Sequence, residues 1–514
     1  MDGAESLVRT LVANGVEICF ANPGTSEMHF VAALDRVAEM RCVLALFEGV
    51  VSGAADGYAR MAEKPACTLF HLGPGFGNGI ANMHNARRAG VPIVNIVGEH
   101  ATYHKRHDAP LTSNIEMLAG QYSAWLRSSA RAADVARDGA EAVAAARQAP
   151  GRIATLILPA DTAWSDGGRV AGRLPVTAPP LPAAATVAEA ARMLRGGVPA
   201  AIVLNGNAMY GRGLIAAGKV AAATGATLFS PYSTPRIERG AGLPSVERVP
   251  YVVAQAVERL KPFRRMILVG APAPVTFFAY PDKSSVPTAP DCDIFPLARP
   301  GEDYVGALEA LVDAVGATNT EPKRQPAERP QVPGGPITLP GLAQAVAALI
   351  PERAIVVDES VTSGRGMMAA SRGAPPHDWL ANTGGAIGIG MPLAVGAAFA
   401  CPDRPVLCLE ADGSGMMTPQ SLWTMAREKL NITTVIFANR AYAILKGEYA
   451  NVGAGNMGPR ALDMLEIGRP DIDWVSLAKG MGVPGRRAAD LDQFAAALRA
   501  GLSQPGPALI EVPL

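Results

Sequence analysis

The sequence predicts an α/β protein built from three doubly wound parallel-sheet domains. Short apolar segments alternate with helical segments early in the chain, as at residues 16–20, 42–47 and 66–70. Strands that alternate with helices form parallel sheets. Residues 163–182 and 318–336 are rich in Pro and lack hydrophobic periodicity, so they are predicted linkers. The length of 514 residues also suggests several domains.

The two linkers separate three predicted domains, which span residues 1–165, 185–317 and 337–514. The first and last domains share the same alternation of strands and helices. In an open parallel sheet, functional residues lie at the carboxyl ends of the strands. Polar side chains that directly follow apolar segments are therefore candidate site residues.

Composition argues against a nucleic-acid or membrane partner. The chain has 46 basic and 46 acidic residues, and 49% of its residues are hydrophobic. A neutral chain lacks the charge excess with which proteins bind nucleic acid or anionic lipid. Its six Cys have no metal-binding or redox spacing, and no signal peptide precedes the first helix. We expect a cytoplasmic protein.

Three polar residues follow the first predicted strands. Glu48 ends the segment at 42–47, and His71 ends the segment at 66–70 before a Gly-rich run. Thr25 lies in a turn after the first strand. A parallel sheet would bring these residues to one edge. There, an imidazole could move protons near neutral pH.

Residues 406–442 contain the pattern of a magnesium–diphosphate site. An apolar strand is followed by Asp412, Gly413 and Ser414, and the next predicted strand leads to Asn439. A strand that turns through small residues into a helix exposes backbone N–H groups to an anion. The side-chain oxygens of Asp412 and Asn439 suit Mg²⁺, which binds few protein ligands together with substrate phosphate.

This block resembles the thiamine-diphosphate signature, Gly-Asp-Gly followed after about two dozen residues by Asn-Asn. Here it reads Ala411-Asp412-Gly413 and Ala438-Asn439, so one Gly and one Asn are replaced by Ala. The two side-chain metal ligands are retained. The resemblance implies that the third ligand is the backbone carbonyl of Ala441.

Other motifs extend the resemblance over nearly the whole chain. The segment from Glu48 reads EGVVSGAADGYAR, the segment from His71 reads HLGPGFGN, and residues 384–392 read GGAIGIGMP. In this order they resemble the thiamine-diphosphate decarboxylase/carboligase family, and most of all acetolactate synthase large subunits and benzoylformate decarboxylase. The resemblance implies pyrimidine-binding, central and diphosphate-binding domains, with thiamine diphosphate and Mg²⁺ as cofactors.

The resemblance also implies roles for single residues. Glu48 matches the carboxyl that activates the cofactor by exchanging a proton with its aminopyrimidine ring. Ile387 matches the apolar residue that bends the cofactor, and Gly385 matches a backbone carbonyl that contacts the aminopyrimidine. Ser360 and Ser414 are expected to line the diphosphate. In the family, the activating Glu and the diphosphate site come from different subunits, which implies a homodimer or homotetramer.

The expected reaction depends on three further matches. His71 resembles the first catalytic histidine of benzoylformate decarboxylase, and Thr25 matches a serine near its substrate carboxylate. Phe278 stands where that enzyme has its second histidine. Because a proton donor is then missing, transfer to a second carbonyl is favoured over release of an aldehyde. The main expectation is an acetolactate synthase-like carboligase acting on pyruvate-like 2-oxo acids.

Several alternatives remain open from the sequence. The protein could be a 2-oxo acid decarboxylase, or a catalytically silent binding or regulatory homologue, as the departures at Ala411 and Ala438 would allow. FAD is not expected, although a Gly-containing turn after Leu204 leaves it open. His100, His104 and His107 are spaced for one helix face, but we expect a polar or substrate-lining loop there rather than a metal site.

Overall fold

The N-terminal part of the chain folds into a six-stranded parallel sheet with helices on both faces. The computed structural model describes residues 1–514. The strand order is β2-β1-β3-β4-β6-β5. The strands are β1 Ile18–Asn22, β2 Arg41–Leu44, β3 Ala66–Phe70, β4 Ile93–Glu99, β5 Trp125–Ser128 and β6 Ile153–Pro159. The helices are α1 Gly3–Ala13, α2 Met28–Leu34, α3 Glu48–Ala62, α4 Leu72–Ala89, α5 Ile115–Gly120, α6 Ala132–Ala146 and α7 Ala160–Trp164.

The central part forms a five-stranded parallel sheet in the order β10-β8-β7-β11-β12. Its strands are β7 Ala200–Leu204, β8 Thr227–Ser230, β10 Glu247–Arg248, β11 Arg265–Val269 and β12 Asp293–Ala298. Its helices are α8 Ala184–Leu194, α9 Gly211–Thr224, α10 Val253–Leu260 and α11 Tyr304–Val315. No helix of the chain is long and apolar enough to cross a membrane.

The C-terminal part forms a seven-stranded sheet in the order β17-β18-β16-β15-β13-β14-β9. Its strands are β9 Ile237–Arg239, β13 Ile355–Glu359, β14 His377–Ala381, β15 Val406–Ala411, β16 Ile432–Ala438, β17 Gly485–Arg487 and β18 Ala508–Pro513. Its helices are α12 Leu339–Leu349, α13 Met367–Ala370, α14 Gly390–Ala400, α15 Asp412–Gly415, α16 Ser421–Glu428, α17 Ala443–Asn451, α18 Pro459–Asp463, α19 Trp474–Gly480 and α20 Leu491–Ser503.

These three sheets confirm the predicted fold class, with one exception to the parallel pattern. The strand β9 comes from the central part of the sequence but pairs antiparallel with β14 of the C-terminal sheet. The central segment is thereby tied to the C-terminal sheet by backbone hydrogen bonds. The domain boundaries drawn from the linkers therefore remain a prediction.

Two strand predictions were wrong at the residues that matter most. Glu48 was expected to end a strand, but β2 ends at Leu44 and Glu48 is the first residue of α3. His71 was also expected to end a strand, but β3 ends at Phe70 and His71 is the N-cap residue of α4. Both side chains therefore lie at helix N-termini, just beyond the strand ends.

The Gly-rich run at residues 73–78 forms the first turns of α4. Gly usually disfavours helix because of its backbone entropy. Here the absence of side chains allows close packing. A Cβ on Gly79 would stand 3.0 Å from the Phe70 ring, and a Cβ on Gly75 would stand 3.0 Å from Glu48 Oε1. Tertiary contact thus overrides the local preference.

The three parts of the chain meet at Arg60, near the end of α3. Its Nε and Nη2 atoms each donate to Asp56 at 2.7 Å, and both side chains are fully buried. Nη1 donates to the carbonyl of Pro235, in the central part, at 3.0 Å. It also donates to the carbonyl of Ala381, at the end of β14, at 2.7 Å. A single guanidinium therefore satisfies acceptors from all three parts.

We expect Arg60→Met to destabilise the protein by about 3–5 kcal/mol, because it leaves Asp56 buried without a partner. The control is Arg9→Met, which removes a part-exposed i,i+4 pair with Glu5 and should cost less than about 1 kcal/mol. Urea unfolding followed by circular dichroism measures both. Equal midpoints for the two variants would contradict the role assigned to Arg60. Adding Asp56→Asn to Arg60→Met should recover part of the loss.

Candidate active site

Glu48 begins α3 and is buried at the N-terminus of that helix. The positive end of a helix dipole favours a carboxylate at this position. Asn78 Nδ2 donates to Glu48 Oε2 at 3.0 Å, and Gly75 leaves room for the other oxygen. No local sequence pattern marks Asn78, which lies in the Gly-rich run after His71.

The imidazole of His71 lies within ion-pair distance of the Glu27 carboxylate, which was not among the predicted site residues. The His71 Nδ1 atom lies 2.8 Å from Glu27 Oε2, which also accepts from the backbone N–H of Gly24 at 2.7 Å. Glu27 Oε1 is buried without a hydrogen-bond partner. Burial raises the pKa of Glu27, and the adjacent His71 partly opposes this shift. A signal was present, since Glu27 follows Thr25 in the turn that begins a helix.

The strand at 406–411 is followed by a turn into a short helix, where the cradle is predicted. Asp412 begins the short helix α15 directly after β15, and Gly413 and Ser414 complete its buried turn. Asp412 Oδ1 accepts from the N–H of Gly413 at 2.9 Å, and Oδ2 accepts from the N–H of Arg440 at 2.6 Å. Burial raises the pKa of Asp412, while these two N–H donors lower it.

Adjacent strands bring the other predicted metal ligands to the same edge. β15 and β16 pair in parallel, with Ala411 opposite Phe437, so Asp412 and Asn439 both follow the paired residues. Asn439 Oδ1 accepts from the N–H of Ala441 at 3.0 Å. The Ala441 carbonyl accepts no hydrogen bond.

This donor set fits Mg²⁺. It offers one buried carboxylate, one amide oxygen and one free carbonyl, all hard oxygens, beside the N–H groups of a helix start. Mg²⁺ prefers such a small set and completes its octahedron with phosphate and water. Asp412, Asn439 and Ala441 would hold the ion, and Gly413 and Ser414 would face the diphosphate.

The loop 384–390 carries Gly385 and Ile387 and is held by a buried carboxylate. Glu359 Oε2 accepts from the N–H groups of Gly388 at 3.2 Å and Gly390 at 2.7 Å. Asn382 Nδ2 donates to the other Glu359 oxygen at 3.0 Å. Burial raises the pKa of Glu359 to about 7. Ile387 remains 39% exposed at the tip of this fixed loop, as a residue that contacts a cofactor would need to be.

Ser360 is placed at the same sheet edge, but its hydroxyl is engaged. It follows β13 and donates to Asp358 Oδ1 at 2.5 Å. A Cβ on Gly364 would stand 1.7 Å from the Ser360 hydroxyl, so the next turn folds directly over it. The diphosphate contact of Ser360 remains a prediction.

The predicted site residues fall into two groups within one chain. Glu48, His71 and Thr25 follow strands of the N-terminal sheet, at its carboxyl edge. Asp412 and Asn439 lie at the carboxyl edge of the C-terminal sheet. No hydrogen bond or ion pair links Glu48 or His71 to residues 412–414 or 439 of the same chain.

A bridge nevertheless connects the neighbourhoods of the two groups. Asn82 Nδ2, on α4, donates to the carbonyls of Gly49 at 2.8 Å and Gly388 at 3.3 Å. It therefore ties the start of α3 to the loop that carries Ile387. Phe278 belongs to the C-terminal group, since it lines a groove with Gly385 and Ile387 and is 52% exposed.

The three clustered histidines do not form a metal site. The rings of His100 and His104 lie 5.4 Å apart, and those of His104 and His107 lie 5.7 Å apart. No group of three or more His, Cys, Asp or Glu side chains in the chain is placed to hold a metal ion. Only Lys105–His107 is helical in this segment, as a single 3₁₀ turn.

Comparison with known proteins identifies the family. Residues 1–117 match the family described as the N-terminal TPP binding domain of thiamine pyrophosphate enzymes. Residues 363–512 match the C-terminal TPP binding domain of the same enzymes. These two matches contain Glu48 and His71 on one side and Asp412 and Asn439 on the other.

Whole-length relatives agree with these matches. The chain is 53% identical over 513 residues to a Mycobacterium tuberculosis protein named "Putative acetolactate synthase large subunit IlvX", covering 100% of this chain and 99% of that protein. It is 28% identical to benzoylformate decarboxylase of Pseudomonas aeruginosa, with 97% and 96% covered. The fold matches a 4-hydroxybenzoylformate decarboxylase of Rhodococcus jostii with a TM-score of 0.87 at 24% identity, covering 100% and 99% of the two chains.

The geometry and the comparisons converge. A hard-oxygen cradle lies on one sheet edge, a buried glutamate begins a helix on another, and both lie within the matched domains. The chain therefore belongs to the thiamine pyrophosphate-dependent enzyme family.

Proposed function

We propose that this protein is a carboligase that joins a pyruvate-like 2-oxo acid to a second carbonyl compound, as an acetolactate synthase does. The observation that carries the proposal is an incomplete proton-transfer set. His71 is present and paired with Glu27, but Phe278 offers only a phenyl ring where a second proton donor would be needed. An intermediate that is not protonated quickly remains available to a second carbonyl.

Different residues would bind the metal, support the cofactor and exchange a proton with it. Asp412, Asn439 and the Ala441 carbonyl would hold Mg²⁺, and Ile387 would support the cofactor above the loop 384–390. Thiamine diphosphate, when bound, supplies the electron sink that accepts the electrons released as CO₂ leaves. Glu48, buried and held by Asn78, would exchange a proton with the aminopyrimidine ring.

On the substrate side, His71 and Glu27 form a unit that can hold and move a proton. The short contact between Nδ1 and Oε2 fixes the imidazole orientation, leaving Nε2 as the atom that would face the substrate. Thr25 begins the same turn as Glu27 and is exposed beside it, where it would bind the substrate carboxylate.

A 2-oxo acid decarboxylase is the second candidate, because His71 and its partner resemble half of a decarboxylase proton-transfer set. A silent homologue has less support. Ala411, which replaces a Gly of the signature, has φ −86° and ψ 148°, an ordinary extended conformation that needs no Gly. The substitution therefore leaves the cradle unstrained.

We propose that the protein forms a homodimer or homotetramer, with the homodimer as the minimal active unit. Within one chain, Glu48 and the cradle make no direct contact, as expected if each active site combines two subunits. Large apolar side chains are exposed near both groups. They include Leu46, beside Glu48, and Ile387, Met416 and Met417, beside the cradle. An interface would cover them.

We also propose that no FAD is bound. The turns after β7 and β11 are where a nucleotide would enter the central sheet. The ring of Tyr304 covers the glycines of these turns, on one wall of a cavity of about 1100 Å³. Cβ atoms on Gly206 and Gly270 would stand 3.0 Å and 2.4 Å from Tyr304 Cε2. A flavin nucleotide lying against these glycines would have to displace a buried tyrosine.

Product analysis tests the proposed reaction. The purified enzyme, supplied with thiamine diphosphate and Mg²⁺, is offered pyruvate or benzoylformate, with and without an aldehyde acceptor. We expect acetolactate or another ligation product in mass spectrometry, and little free aldehyde. Stoichiometric release of acetaldehyde or benzaldehyde without ligation would instead establish the decarboxylase.

Glu48→Gln should slow cofactor activation by at least about 100-fold, because the amide cannot exchange a proton with the aminopyrimidine. The readout is hydrogen–deuterium exchange at C2 of bound thiamine diphosphate, measured by NMR after acid quench. Glu39→Gln, an exposed glutamate of the same domain, is the matched control. An unchanged exchange rate in Glu48→Gln would show that another residue activates the cofactor.

Asp412→Ala should weaken Mg²⁺-dependent binding of thiamine diphosphate by more than about 100-fold, since loss of a supporting residue alone costs 10–100-fold. Titration calorimetry with Mg²⁺ and with EDTA measures the effect. Asp403→Ala, which removes an exposed ion pair with Arg353, should bind normally. Retention of wild-type affinity by Asp412→Ala would place the metal elsewhere.

A further inference from the structure

A groove of about 610 Å³ runs between the central part of the chain and the C-terminal domain. This volume lies within the range of small-molecule sites. One end is formed by Gly385 and Ile387, the loop that is predicted to contact the cofactor. The groove therefore leads away from the proposed reaction centre, in the direction that the far end of a bound substrate would take.

One wall of the groove is aromatic along its length. Ring centroids of Tyr232 and Tyr251 lie 5.0 Å apart, those of Tyr251 and Phe277 lie 5.7 Å apart, and those of Phe277 and Phe278 lie 4.9 Å apart. A Cβ on Gly385 would stand 2.6 Å from Phe277 Cζ. The aromatic wall therefore extends to the loop 384–390, which is predicted to contact the cofactor.

Guanidinium groups lie against the outer part of this wall. Arg248 stacks over the Tyr232 ring at 5.0 Å, and Arg365 lies over the Tyr251 ring at 6.0 Å. Arg372 and Arg239 also line the groove. The Arg239 guanidinium donates to Ser371 and to the Met368 carbonyl. The guanidinium groups of Arg248, Arg365 and Arg372 have no carboxylate within 4 Å and make no hydrogen bond.

The positive charges are concentrated enough to affect one another. Burial, together with the nearby charges of Arg248 and Arg372, lowers the pKa of Arg239 to about 9. Arginine is the side chain best suited to bind a carboxylate or phosphate, because its planar fork offers paired donors. Three such forks in one groove, none of them engaged, make it a candidate anion site.

The acidic residues of the groove do not neutralise these arginines. Each acid already has another partner: Glu247 with Arg259, Asp358 with Ser360, Glu359 with the loop N–H groups, and Glu448 with the Tyr251 hydroxyl. Two of these acids keep an oxygen without a partner, Asp358 Oδ2 and Glu448 Oε2, whereas three arginines are unengaged.

We propose that this groove binds a second carboxylate on the substrate, at the end remote from its 2-oxo acid group. The substrate would be a dicarboxylic 2-oxo acid with an apolar or aromatic middle, lying along Phe277 and Tyr251 with its far carboxylate on Arg365 and Arg248. This inference rests on the proposed 2-oxo acid chemistry and specifies the substrate class for it. Arg365 and Arg248 would then determine specificity without taking part in bond cleavage.

Two matched pairs of substrates test the proposal. 2-Oxoadipate and 2-oxohexanoate have the same chain length and differ only in the terminal carboxylate. 4-Carboxybenzoylformate and benzoylformate differ in the same way on an aromatic ring. Each is offered alone and with pyruvate to the holoenzyme. We expect kcat/KM to favour the dicarboxylate of each pair by about tenfold or more, as for hydrogen bonds to charged groups.

Variants locate the effect. Arg365→Ala and Arg248→Ala should each remove about tenfold of this preference, because kcat/KM for the dicarboxylate falls more than kcat/KM for the monocarboxylate. Arg365→Lys should restore part of it, because the charge remains. Arg212→Ala, which removes an exposed ion pair with Glu309 outside the groove, is the control and should keep the full preference.

Binding of non-reactive probes separates this proposal from the proposed reaction. Adipate and hexanoate lack the 2-oxo group, so titration calorimetry reports the groove even if no 2-oxo acid is turned over. Adipate binding that is lost in Arg365→Ala supports the groove in either case. Equal kcat/KM within both substrate pairs, together with no adipate binding, would overturn the groove proposal and leave the proposed reaction standing.

Discussion

The buried pair of Asp56 and Arg60 is the contact on which the relative placement of the three sheets depends. Its charges are removed from water, which is costly unless every donor and acceptor is satisfied. Arg60 meets this demand by donating to carbonyls of Pro235 and Ala381, which belong to the other two parts of the chain. This one guanidinium therefore links the three parts of the chain, together with the pairing of β9 with β14.

Close packing by small residues supplies the second constraint. The helices α3 and α14 approach so tightly that a Cβ on Gly57 would stand 2.1 Å from the Leu393 carbonyl, and one on Gly396 would stand 1.9 Å from the Ala54 carbonyl. Glu48 begins α3, and the loop 384–390 leads into α14. The same helix pair therefore holds the activating glutamate and the cofactor loop in register.

Charged residues have different partners in the three regions of the site. Near the cradle, Glu359 and Asp412 accept from backbone N–H groups, which tie down the loop 384–390 and the Asp412 turn. Glu27 orients His71 on the N-terminal edge. In the groove, the side chains of Arg248, Arg365 and Arg372 have no ion-pair partner. A protein of zero net charge that leaves arginines unengaged there is prepared for an anionic ligand.

The fold class and the turn that carries Asp412 could be predicted from the sequence, because strands, turns and helix starts have local patterns. The same patterns placed Glu48 at a strand end, whereas it begins α3. Only the tertiary structure decided that residues 73–78 are helical, since contacts with Phe70 and Glu48 outweigh the glycine preference. It alone paired His71 with Glu27, and brought Arg248 and Arg365 to one groove. These residues are far apart in sequence, and no local periodicity records which side chains packing brings together.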